Sequence, residues 1–418
     1  VRGPWTRMAG FGRPARLLMV NQFGINLGFY MLMPYLADHL AHGLGLAAWA
    51  VGLVLGVRNV SQQGMFLLGG TLADRYGCKP PILAGCALRA VAFALLAVAE
   101  SLPVLVMASA LTGLAGALFN PAVRAYLAAD AGEERRVAAF AAFNVFYQAG
   151  ILIGPLAGLA LLAWDFGAVC TVAAVVFGVL AVLQARALPA RPPAGRSAGP
   201  AWRAVAADWR TVAANRPFLL FAAAMSGSYL LAFQVYLALP LHARDLFGAR
   251  TGVVTGAVFA VSALAALAAQ AKLTAWAQRT LSGPRAVVHG LTVMGAAFLP
   301  LLPRTHAPVA GVAALTGCAV LLAWGGALLY PFEMDTVVRL SGDRLVATYY
   351  GAYNTASGIA VSLGNLAVGA LFDTGLRWLP WAVLAATGLG CAALVARLHR
   401  AGHLAAPPVP AAGRLAAG

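Results

Sequence analysis

The sequence predicts an all-α integral membrane protein, with twelve spanning helices in two parallel-repeat six-helix bundles. Three observations carry that fold class. Of the 418 residues, 61% are hydrophobic and only 10% charged, where a soluble domain carries about 25%. Apolar runs of about 20 residues recur along the whole length, each long enough to cross ~30 Å of hydrocarbon as a helix. The chain also repeats itself at an offset of 210, Gly116-Ala117-Leu118-Phe119-Asn120-Pro121 matching Gly326-Ala327-Leu328-Leu329-Tyr330-Pro331. Gly132, Asn144 and Gly154 then match Gly342, Asn354 and Gly364 without a gap.

The spans fall near 17–37, 48–70, 80–99, 103–128, 138–163, 166–188, 217–240, 251–277, 286–304, 308–333, 347–372 and 376–399. Six spans separate the repeats, an even number, so both halves share one orientation. The expected organisation is a bundle over 1–188, a cytoplasmic linker over 189–216, a second bundle over 217–400 and a tail over 401–418. The net charge of +16 does not indicate nucleic acid, because of where it sits. One side of the membrane holds most of the Lys and Arg, and the other only Arg244, Arg250, Arg304 and Arg377. That bias places both termini in the cytoplasm and turns the basic loops toward anionic lipid. The first apolar run reads as a span, since no small-residue cleavage site follows it. Lysine is nearly absent while alanine and arginine abound, the composition of a GC-rich bacterial genome. Localisation in a bacterial cytoplasmic membrane follows.

Span 1 carries Asn21, Gln22, Asn26 and Tyr30, three of them at helical spacing. Span 2 carries Arg58 beside Gln62-Gln63-Gly64, and span 3 carries Arg89. Ionisable groups within spans are costly and mark function. Between these two spans lies Gly69-Gly70-Thr71-Leu72-Ala73-Asp74-Arg75-Tyr76-Gly77-Cys78-Lys79. Its glycines allow a tight turn and close helix approach. Asp74, at the inner end of span 2, can dock on a helix N-terminus, where free N–H groups and the dipole favour an anion. Arg75 and Lys79 would anchor to acids or lipid headgroups. Arg124, at the inner end of span 4, is the expected partner of Asp74. In span 5, Gly150, Gly154, Pro155 and Gly158 combine a small-residue groove with a bend.

The loop closely resembles the signature between helices 2 and 3 of the major facilitator superfamily. The span 5 element resembles that of its antiporters, and the nearest branch is bacterial multidrug efflux. The resemblance covers residues 17–399 and implies alternating access driven by protons. It implies a latch of Gly70, Asp74, Arg75, Gly77, Lys79 and Arg124, with Asp74 meeting span 11 near Ala347. It also implies a gate of Gly150, Gly154, Pro155 and Gly158 that resists proton leak. Two departures stand out. Cys78 replaces an Arg common in the family, and Ser109 stands where an Arg of span 4 is usual. The second-half copy, Trp276-Ala277-Gln278-Arg279, has Gln for Asp, so the latch should be asymmetric.

The linker starts Pro/Arg/Gly-rich, reading as flexible over Pro189 to Pro200. Trp202, Val205, Trp209 and Val212 then recur at helical spacing and predict a short helix on the inner surface. Glu333 and Asp335 follow Pro331 at the inner end of span 10 and are the proton-coupling candidates, with Arg58 or Arg124 as counter-ion. The substrate-cavity candidates are Asn21, Asn26, Tyr30, Asn144, Gln148, Gln234, Tyr236, Tyr353 and Asn354. By resemblance, spans 1, 5, 7 and 11 that carry them line the cavity, and aromatic and amide groups on apolar walls suit amphipathic ligands. The function read from this is export of drugs or metabolites in exchange for protons, by a monomer. A dedicated exporter or importer of one metabolite is the alternative, and a membrane sensor or enzyme is the least favoured. No catalytic, cofactor or metal site is expected. The seven histidines form no HExxH or metal-spaced cluster, the five cysteines show no CxxC spacing, and no Gly-xxxx-Gly-Lys phosphate loop is present.

Overall fold

A computed structural model describes residues 10–191, 201–247, 251–303 and 307–404. Among the described residues there are helices and turns but no strands. Twelve crossings result. The first half contains α1 (Arg13–Asp38), α2 (Ala48–Tyr76), α3 (Lys79–Val98), α4 (102–131), α5 (133–161) and α6 (Phe166–Ala187). The helix α7 (Ala201–Ala214) follows in the linker. The second half contains α8 (Arg216–Phe233) with α9 (Ala238–Phe247) as one crossing, α10 (Thr251–Thr280) and α11 (Gly283–Ala296). It ends with α12 (Pro308–Ser341), α13 (Val346–Asp373) and α14 (Leu379–Arg400).

Nine continuous helical segments among the described residues are long and apolar enough to cross a membrane. One of them, Leu102–Leu161, is two helices joined at Gly132, whose φ is 70°. The helices α1 and α2 are as long but carry the polar runs around Asn21 and Arg58, which lower their apolarity.

Proline opens several helices, as at Pro14, Pro80 and Pro217, where the missing N–H would have had no intrahelical partner. Asp165 and Asn215 cap α6 and α8, their Oδ1 atoms accepting from Ala168 N at 2.5 Å and Phe218 N at 3.1 Å. Two expected boundaries are corrected. Span 10 does not end at 333, because α12 runs through Pro331 and on to Ser341. A proline within a buried helix loses one donor without stopping the helix when its neighbours hold it in place. Span 4 likewise continues past 128 to the break at Gly132.

The sequence repeat is visible in the backbone. Gly132 and Gly342, matched at offset 210, both take positive φ, 70° and 62°, where the chain reverses after α4 and after α12. A Cβ would be strained in that region. The expected helix after residue 201 is present, while the stretch expected to be flexible, Pro189 to Pro200, lies outside the described residues from 192 on.

One apolar core joins the halves. It gathers Leu18, Phe119 and Phe140 with Val337, Ala347 and Tyr350. A second core, of Leu231, Phe298, Leu315 and Trp381, belongs to the second half alone. The halves thus pack together toward the end carrying the basic loops, called here the basic end.

Backbone approach depends on glycines. A Cβ on Gly154 would lie 2.8 Å from Tyr30 Cβ, and one on Gly150 2.6 Å from Asn26 Cβ. One on Gly158 would collide with the Met31 carbonyl, so α5 lies directly on α1. Nothing lies near the same position on Gly256. Gly158→Leu should therefore cost about 1–3 kcal/mol of overpacking and lower the unfolding temperature in detergent, with Gly256→Ala unchanged. Equal midpoints for the two variants would refute the packing.

Candidate functional site

Asp74 ends the last full turn of α2 and crosses to the second half. Its Oδ1 accepts from Ala347 N at 3.1 Å, and its Oδ2 from Thr348 N and Thr348 Oγ1, both at 2.7 Å. The acceptor is thus seated on the first turn of α13, where N–H groups have no helical partner. Gly70 permits this, since a Cβ there would collide with the Ala347 carbonyl. Higher up, Gly351 abuts the Phe66 carbonyl and Thr355 Oγ1 donates to Gln63 O at 3.0 Å.

Arg124 is not the partner of Asp74. The helix α4 extends to residue 131, so Arg124 lies about two turns inside the bundle rather than at its end. There its Nη1 donates to Asn354 Oδ1 at 2.9 Å. Arg75 Nη2 instead donates to Asp208 Oδ2 of α7 at 3.1 Å, and Trp209 Nε1 of α7 donates to Thr71 Oγ1 at 2.9 Å. Lys79 Nζ donates to the Ala185 carbonyl at 2.8 Å, and Gly77 takes φ 83° at the turn. Gln278, in the eroded second copy, is exposed.

A further clamp was not singled out in the sequence. Arg136, 4% exposed, donates from Nη2 to Asp343 Oδ1 at 2.9 Å and from Nη1 to Asp335 Oδ1 at 3.5 Å. It reads there as one of two adjacent topogenic arginines, and nothing local signals its burial. Asp343 and Leu345, in the turn it grips, take φ 56° and 52°. Such backbone is unfavourable by about 1 kcal/mol or more per residue.

The two acids of α12 therefore part company. Asp335 faces Arg136 at the basic end. Glu333 is 1% exposed, accepts from the Tyr353 hydroxyl, and faces Arg124 and Tyr229. The pairing of Arg58 with these acids is also corrected. Arg58 lies in the first half, where its Nη2 donates to Asn59 Oδ1 at 2.7 Å and its Nη1 points to Met33 Sδ at 3.6 Å.

Several cavity candidates converge at mid-depth. Tyr30, Tyr147 and Tyr236 lie within electrostatic reach of one another, and Tyr147, Tyr229 and Tyr330 surround Arg124. Asn26 Nδ2 donates to the Tyr147 carbonyl at 2.8 Å and ties α1 to α5. Asn144 Nδ2 donates to Gln270 Oε1 across the halves at 2.6 Å. Asn21 is buried and its Nδ2 has no partner. Gln234 is not brought to this group. It is fully buried where α8 breaks, donating to the Leu230 carbonyl and to Asn365 at 2.9 and 3.0 Å. Gln148 is half-buried on α5. Tyr330 and Gln270 are the polar groups that sequence reading missed, the first because it appeared only as part of the repeat.

Twelve apolar crossings in two related halves, with a polar group at mid-depth between them, define a multi-pass membrane transporter. The chain belongs to the Major Facilitator Superfamily, whose family model matches residues 18–365. It is 55% identical to an uncharacterized MFS-type transporter of Mycobacterium tuberculosis, over 88% of each chain. It is 30% identical to the multidrug resistance protein MdtH of Yersinia pestis, over 89% of this chain and 91% of that one. Its fold resembles that of the human organic anion transporter MFSD10, with a TM-score of 0.71 at 16% identity over 92% and 99% of the two chains. The peptide transporter POT gives 0.67 at 17% identity, over 93% and 95%. Membership in this family makes the protein a transporter, not an enzyme.

Removing the Asp74 acceptor should release the amides it holds. Asp74→Ala is expected to raise hydrogen exchange at residues 347 and 348 about tenfold or more, the equivalent of about 1.4 kcal/mol. Unchanged exchange at these two amides would show that the carboxylate does not hold α13.

Proposed function

We propose that this protein exports small amphipathic compounds across a bacterial cytoplasmic membrane in exchange for protons, with its basic end in the cytoplasm. The observation that carries the coupling is Glu333. Asp74 and Glu333 are the acids buried among the described residues, and Asp74 lies at a helix end. A carboxylate held inside a membrane bundle is costly when charged and is neutralised either by a cation or by a proton. Glu333 faces Arg124 from α4, Tyr229 from α8 and Tyr353 from α13, with Tyr330 on its own helix. Both partners of such an exchange are therefore present at one point between the halves.

In this reading the arrangement described is closed toward the cytoplasm by Asp74 on α13 and by Arg136 on the turn before it. A proton arriving from outside neutralises Glu333 and frees Arg124 from its charge. The change in charge balance favours release of the cytoplasmic contacts and exposure of the cavity to the inside. The compound binds, the proton leaves inward, and the latch closes again. Gly150, Gly154 and Gly158, held directly against α1, give the seam between α1 and α5 no room for a water file. The relative named for multidrug resistance supports export, and the aromatic lining of the mid-depth group supports amphipathic cargo.

The acids can be tested one at a time. Dye movement into inside-out vesicles is followed under an imposed pH gradient. Wild-type uptake should collapse with the gradient. Glu333→Gln should lose at least tenfold of the gradient-driven rate, while Asp335→Asn, at the clamp, should keep its gradient dependence. Undiminished coupling in folded Glu333→Gln would sink the proposal.

A further inference from the structure

Two arginines of the first half have no role in that exchange. Arg89 is 6% exposed on α3 at mid-depth, and its Nε has no hydrogen-bond partner. Its Nη2 reaches a carbonyl, that of Thr112, at 3.3 Å. Arg58 sits half-buried on α2. The two guanidiniums share one aromatic ring, with Cζ atoms 5.2 and 4.9 Å from the Phe29 centroid, which keeps them within about 10 Å of each other. Arg89 also lies 5.4 Å from the Phe177 centroid.

No acid balances them. The acids of the first half, from Asp38 to Asp165, lie at helix ends or in loops. Glu333 is in the other half and faces Arg124. Among the described residues, then, the mid-depth groups are three arginines against one carboxylate. Two like charges without a counter-ion in a membrane interior are a standing cost, and proteins keep such groups where they act. The donors also converge. A Cβ on Gly116 would lie 2.7 Å from Arg89 Nη2 and 3.0 Å from Gln62 Nε2. The missing side chain of Gly116 thus lets two N–H donors from different helices lie close together against α4. Arg58 continues this line toward the cavity, within electrostatic reach of Tyr30.

We infer that Arg58, Arg89 and Gln62 form an anion-recognition subsite, so that the cargo is an amphipathic organic anion bearing a sulfonate, carboxylate or phosphate on an aromatic or aliphatic body. Arg58 meets the charged group at the cavity wall. Arg89 sustains positive potential behind it. The Phe29 face contacts the apolar body and holds both guanidiniums in place. This assignment rests on the transport reading and narrows its substrate class.

The test needs no gradient, so it is independent of proton coupling and of direction. Purified protein in phosphatidylcholine nanodiscs is titrated calorimetrically with naphthalene-2-sulfonate and with the neutral naphthalene-2-sulfonamide, against empty discs. The sulfonate is expected to bind at least tenfold more tightly. Arg58→Gln should remove that preference while leaving sulfonamide binding intact, and Arg58→Lys should keep part of it. Arg89→Lys serves in place of Arg89→Gln should the latter fail to fold, and a several-fold loss of sulfonate affinity is expected. Equal affinities in folded wild type, absence of sulfonate binding, or an unchanged preference in Arg58→Gln would each overturn the assignment. Discs containing phosphatidylglycerol separate the sources of the anion. Persistence of the preference supports a soluble cargo, and its disappearance would assign the subsite to a lipid headgroup instead.

Discussion

The junction of the two halves at the basic end depends on one side chain from the first half meeting the start of a helix from the second. The Asp74 carboxylate takes up two N–H groups and a hydroxyl at the start of α13. Everything nearby is arranged to let that contact form. Gly70 and Gly351 bring α2 and α13 to backbone distance. The Arg75–Asp208 pair and the Trp209–Thr71 bond bring the linker helix against the same turn. Arg136 grips the strained turn just before α13 from another direction. Asp74 and Arg136 are buried, and a polar contact of a buried group counts for more than one at a soluble surface.

Charge at mid-depth is organised differently in the two halves. In the second half a single carboxylate is surrounded by tyrosines and faces an arginine supplied by the first. In the first half two arginines share an aromatic ring and lack any acid. On the function proposed, the protein separates a site for a proton from a site for an anion. Tyr30, Tyr147 and Arg124 lie between them. Occupation of one alters the electrostatic cost of occupying the other, the form that coupling takes when two ligands share one low-dielectric space.

Much of this was legible in the sequence because it is carried by rules of spacing and composition. Apolar run length gives the crossings, the offset of 210 gives the halves, and Gly132 and Gly342 mark their matching turns. What was not legible depends on depth and on long-range partners. Arg124 reads as a helix-end charge because the end of α4 was placed too early, and its real partner Asn354 is 230 residues away. The end of span 10 reads as 333, which sets Glu333 at the inner end of the span instead of about two turns inside α12. Arg136 and Asp343 are ordinary loop charges until folding brings them together. The polar residues of span 7 show the same limit, since Gln234 turned out to serve the break in its own helix.

The two sides of the Asp74 contact differ in how they are encoded. The acceptor is a side chain, so it is specified by one codon and lost by almost any exchange. Two of the donors, at 347 and 348, are main-chain amides, which every residue except proline supplies, and the third is the Thr348 hydroxyl. Exchange at 348 thus removes one of three donors, whereas exchange at 74 removes the acceptor of all three. The lock is therefore written unequally in the two halves, resting on one irreplaceable side chain in the first and mostly on main chain in the second.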